Sequence, residues 1–106
     1  MTQATQLLSR SIPADVLGFA AKHGLSNYLP AVIEMTERIF PDAHLAVRLE
    51  DDPEILDDWH IVLDMDVSID VPEAVSAQRH WNDSLFRCCP APLVCYFRLS
   101  MELVES

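Results

Sequence analysis

Asp64 and Asp66 are the residues of this chain best suited to chemistry. Two positions apart on an extended strand, their side chains leave from the same face, and carboxylates paired in this way can hold Mg²⁺ for phosphoryl or nucleotidyl transfer. His60 lies on the same side of that run and could assist such a site. Enzymes of this kind also need a phosphate cradle, but the two glycines, Gly18 and Gly24, fall inside and at the end of a predicted helix. Neither belongs to a glycine-rich loop. A competing account sets Asp64 and Asp66 opposite Arg48 and Arg98 in cross-strand ion pairs, each worth a fraction of a kcal/mol. This second account is the one preferred here.

Other chemistry-bearing residues form weaker groups. Six carboxylates crowd residues 50–58. They lack the loop glycine and ligand spacing of an EF-hand, so the segment reads as a solvated loop. Ile55 and Leu56 at its centre must either fold back onto the core or touch something else. His23, His44, His60 and His80 are scattered. A hydrolytic grouping can be drawn around His80, Asp83 and Ser84, but neighbours on one helix point outward together and leave no oxyanion donors. Cys88, Cys89 and Cys95 show no Cys-x-x-Cys or His-x-x-x-His spacing, and they read as small apolar side chains rather than zinc ligands. Neither a cofactor nor a metal ion is assigned.

The elements that must position these groups follow from periodicity. Ile61, Leu63, Met65, Val67 and Ile69 alternate with Val62, Asp64, Asp66 and Ser68. Leu93, Cys95, Phe97, Leu99, Met101 and Leu103 alternate with Val94, Tyr96, Arg98, Ser100, Glu102 and Val104. Strict alternation describes strands with one face on a core and the other open to water or to a partner. His44–Glu50 reads as a further short strand that forms a hairpin with the run 59–69.

Three helices complete the pattern. The first runs from Pro13 to about His23 and is closed by Gly24 in the left-handed conformation. The second starts at Ser26 or Asn27, carries Leu29, Val32, Ile33, Met35, Ile39 and Phe40 on one arc, and ends at Pro41. The third is capped by Asp70, buries Ala74, Ala77, Trp81, Leu85 and Cys88, and stops at Pro90 and Pro92. The order helix, helix, strand, strand, helix, strand defines an α+β two-layer sandwich whose helices cover one face of a three-stranded, mainly antiparallel sheet. Placing the first strand in the middle makes every neighbouring pair antiparallel, and that order is preferred. Residues 1–106 form a single domain, with residues 1–12 expected to fray.

Composition narrows the functional classes. The 106 residues include 17 acidic and 7 basic side chains, for a net charge of −10, and half are apolar. Such a surface repels phosphate backbones and anionic lipid, which argues against nucleic acid or a membrane as partner. Residues 1–10 lack a signal-like pattern and no run approaches a membrane span, so a cytoplasmic protein is expected.

The leading expectation is a non-catalytic, acidic interaction protein. It would self-associate, as a homodimer or higher oligomer, through the open face or edge of its sheet and bind a basic protein partner in an adaptor, subunit or antitoxin-like role. Arg48, Val62, Asp64, Asp66, Tyr96 and Arg98 form the expected contact surface. The alternative is a small metal-dependent enzyme or ligand-binding domain built on Asp64 and Asp66.

Overall fold

The computed structural model describes residues 12–55 and 58–104. Helix α1 (Ala14–Lys22) and helix α2 (Leu29–Ile39) precede strands β1 (His44–Asp51) and β2 (Trp59–Val67). Helix α3 (Val71–Cys88), a single turn α4 (Ala91–Val94) and strand β3 (Phe97–Leu103) follow. The fold is α+β, with helices against a three-stranded sheet.

Local chemistry explains most of the boundaries. Gly24 takes φ 72°, a left-handed geometry that costs glycine nothing, and turns the chain after α1. The Asp70 carboxylate accepts the backbone N–H of Glu73 at 2.9 Å and caps α3. Helix α2 departs from expectation. Neither Ser26 nor Asn27 caps it; Tyr28 occupies the cap position without a side-chain bond, and Pro30 sits in the first turn. The expected fraying of residues 1–12 concerns, for 1–11, a stretch outside the described residues; Ile12 itself is buried in the core.

Two further expectations are corrected. Strand β2, not β1, occupies the middle of the sheet: β1 pairs with it antiparallel and β3 pairs with it parallel. An all-antiparallel order counts only ladder geometry, whereas burial favours β2 as the strand flanked on both sides. Ile61, Leu63, Met65 and Val67 are buried on its helix-facing side, and His60 and Val62 are buried on the other. Strand β1 exposes His44, Arg48, Glu50 and Asp51, a charge pattern suited to an edge. The 18-residue α3 supplies the long connection that a parallel pair requires. The second correction concerns Leu93–Cys95, which do not extend β3. Pro90, at φ −59° and ψ 146°, is the extended cap residue of the turn α4, whose first turn holds Pro92, and β3 begins at Phe97.

The core lies between the sheet and the helices. Fully buried Val16, Leu25, Leu29, Val32, Ile61 and Leu63 form its centre. Trp81 crosses from α3 to α2 with 2% of its surface exposed. Its indole Nε1–H donates to Thr36 Oγ1 at 2.8 Å, and that hydroxyl donates to the Val32 carbonyl at 2.7 Å. Each polar atom of this pair is thereby satisfied inside apolar packing, and no other side-chain nitrogen or oxygen buried among the described residues lacks a partner.

Trp81→Ala is expected to cost about 3–5 kcal/mol of stability, because it removes both the packing and the hydrogen bond. Thr36→Val keeps the volume but strands the indole N–H, at a cost of about 1–3 kcal/mol, whereas Thr36→Ser keeps the bond and loses less. Urea melts of the three variants rank them. A Thr36→Val protein as stable as the parent would show that the bond contributes nothing.

Candidate functional site

The sheet face turned away from the helices carries a grid of side chains set by register. On β1 it shows Glu50, Arg48, Ala46 and His44; on β2, opposite them, His60, Val62, Asp64 and Asp66. Strand β3 adds Arg98 beside Val62, Ser100 beside Asp64 and Glu102 beside Asp66. Five of the six residues expected to form a contact surface therefore share one face: Arg48, Val62, Asp64, Asp66 and Arg98.

Asp64 accepts Arg48 Nε at 3.2 Å, and Arg48 Nη1 also donates to Glu50 at 2.6 Å. These bonds, that to Glu50 first, raise the Arg48 pKa above its ordinary value. The expected cross-strand ion pair thus forms at Arg48. Arg98 makes no ion pair among the described residues, although Glu102 stands four positions along the same face of its own strand. Asp66 and Glu102, exposed register partners, face each other as like charges. No three His, Cys, Asp or Glu side chains converge to hold a metal ion among the described residues.

Val62 is 3% exposed although it lies on the open face. Its register neighbours on both sides are arginines, Arg48 and Arg98, whose aliphatic stems can cover an apolar neighbour while their guanidinium groups reach water. The face is therefore a charged lattice around a small covered apolar centre, not an apolar platform.

Tyr96 is the sixth expected contact residue, and the structure places it elsewhere. Alternation assigned it to the open face, but it precedes β3 and its ring packs against α1. The ring centroids lie 5.8 Å from Phe19 in an edge-on arrangement and 5.0 Å from His23. This group borders an open cleft of about 680 Å³ at one end of the sheet, together with Leu49, Asp58, Trp59, His60 and Cys95. His60 Nε2 lies 3.5 Å from Asp58 Oδ1. The cleft joins residues from α1 and three strand ends, a convergence that no single period in the sequence signals.

Catalysis in this cleft would need a nucleophile bonded to a base. The Cys95 thiol instead donates to the Pro92 carbonyl at 3.6 Å. A second open cleft, of about 450 Å³, lies at the opposite end between α2 and α3, where His80 and Glu73 line it with Phe40 and Ile69. The acidic loop is organised by Asp52, whose Oδ1 accepts the N–H groups of Glu54 at 2.8 Å and Ile55 at 3.3 Å. Ile55 remains 56% exposed and does not fold back onto the core.

Comparison with protein-family models, with curated proteins and with solved structures gives no match to this chain.

The three cysteines differ in environment: Cys95 is exposed, Cys88 half-buried and Cys89 buried. Burial pushes the Cys89 thiol pKa up, so its reactive thiolate is scarcer as well as less accessible. Timed alkylation with iodoacetamide, read by peptide mass spectrometry, is expected to label Cys95 first and Cys89 last. Equal rates at Cys89 and Cys95 would contradict this environment.

Proposed function

We propose that this chain is a non-catalytic interaction protein that self-associates through its sheet and presents an acidic surface to a basic protein partner. The observation that carries the reading is the sheet's incompleteness. Beta-strands β1 and β3, of 8 and 7 residues, each leave one side without a ladder partner among the described residues. Rows of backbone donors and acceptors left in this state invite pairing with another chain. The open face supports the same reading, because it mixes both charge signs and so favours a defined orientation of whatever docks there.

The net charge of −10 supports a basic partner and argues against nucleic acid or anionic lipid. No helix among the described residues is long and apolar enough to cross a membrane. The cysteines are free, which agrees with a reducing compartment, and we assign the protein to the cytoplasm on that basis. Adaptor, subunit and antitoxin-like roles all remain forms of this one reading.

Light scattering during size exclusion is expected to show a dimer or a larger assembly at micromolar concentration. A chain that stays monomeric at high micromolar concentration would sink the self-association reading. The alternative, a metal-dependent enzyme built on Asp64 and Asp66, meets a separate test. The Arg48 guanidinium already engages Asp64, so replacing both aspartates with Asn is expected to leave Mg²⁺ and Mn²⁺ calorimetry unchanged. Micromolar binding that vanishes in the double variant would put the enzyme reading first.

A further inference from the structure

The seven residues of β3 read Phe-Arg-Leu-Ser-Met-Glu-Leu, and they are self-complementary about Ser100. Reversing the strand about that residue sets Arg98 against Glu102, Leu99 against Met101 and Phe97 against Leu103. The phase of the existing ladder agrees. Ile61 N–H donates to the Tyr96 carbonyl at 2.7 Å and Val104 N–H donates to the Val67 carbonyl at 2.9 Å. These bonds bracket the parallel ladder and turn the backbone groups of Arg98, Ser100 and Glu102 toward β2. The N–H and C=O groups of Phe97, Leu99, Met101 and Leu103 point to the other side, which has no ladder partner among the described residues. In an antiparallel pair centred on Ser100, these four residues meet one another in hydrogen-bonded pairs, so every outward backbone group gains a partner.

We infer that β3 pairs antiparallel with β3 of a second copy of this chain across a two-fold axis at Ser100, joining two sheets into one of six strands. The inference rests on the self-association reading and names its surface, register and partner. Charge complementarity supports it. Arg98 is without an ion pair among the described residues, while Glu102 and Asp66 stand side by side as like charges. The two-fold brings the partner's Arg98 to Glu102 on the same face, and does so twice per dimer.

The helical layer agrees. On α3 the flank toward α2 carries Glu73, Ser76 and His80 at the small cleft. The opposite flank, by helical spacing, carries Val71, Val75 and Phe86, which are 62%, 47% and 61% exposed. Helix α3 packs on β3, so pairing at the β3 edge sets this apolar flank facing its symmetry mate. A continuous sheet backed by two helices has the self-complementary form that a two-fold interface requires.

Ser100→Cys in a Cys95→Ser background tests the register. Opposed residues of a non-hydrogen-bonded antiparallel pair have Cα atoms about 4.5 Å apart, within disulfide reach. Mild oxidation is expected to give a covalent dimer at near-complete yield with the parent melting temperature. Arg98→Cys in the same background is expected to give none, because its twins would lie about 13 Å apart along the strands. Arg98→Glu is expected to weaken dimerisation about tenfold or more, and adding Glu102→Arg to restore it. A dimer by light scattering that does not cross-link through position 100, cross-links through position 98, or is not rescued by the charge swap would overturn the β3 register and leave self-association standing. A monomer under all conditions would overturn both.

Discussion

The Trp81–Thr36 hydrogen bond is the point on which the helical layer depends. Helices α2 and α3 share few polar groups, and an indole buried between them brings a large apolar area together with one N–H that must be satisfied. Thr36 meets this need because its hydroxyl both accepts from Trp81 and donates to Val32 one turn back. The bond fixes the rotation of α2 about its axis, and with it the arc of Leu29, Val32, Ile33 and Met35 that roofs the sheet. The apolar pairs of the core tolerate small slides; this polar pair has one geometry.

Where burial is one-sided and local, the amino-acid pattern was readable. The alternation at 61–67 assigned the faces of β2, the Ala74–Trp81–Leu85 spacing assigned the inner stripe of α3, and Asp70 and Gly24 marked their turns by their own chemistry. What escaped depends on neighbours distant in sequence. Thr36 sits on the apolar arc of α2, yet its partner is 45 residues away. Strand order followed from which strand is buried on both faces, a property visible only once Val62 is seen between two arginine stems. Tyr96 kept the parity of an outward residue, but the turn imposed by Pro90 and Pro92 ended the alternation before it.

The candidate site was legible in composition more than in arrangement. Arg48 and Asp64 were expected to meet and do meet, because an antiparallel register brings i and j within one diagonal step. The cleft around His23, His60 and Tyr96 was not foreseen, since its walls come from a helix end and three strand ends. The same spread separates the two chemistries of the surface: a charged lattice held by strand register, and an aromatic group held by the packing of α1.

The parallel pairing of β2 with β3 also sets the order in which the chain can become whole. Beta-strands β1 and β2 are neighbours in sequence and can meet through a short connection, but a two-stranded hairpin in water is marginal. Its third strand arrives only after α3 and α4 have crossed the sheet, so the contacts that complete the central strand carry a larger loop-closure entropy than those of the β1–β2 hairpin. During synthesis, β2 therefore waits with one side unpaired until residues 97–103 have been made. The hairpin's survival in that interval falls to the helices that already cover its apolar face.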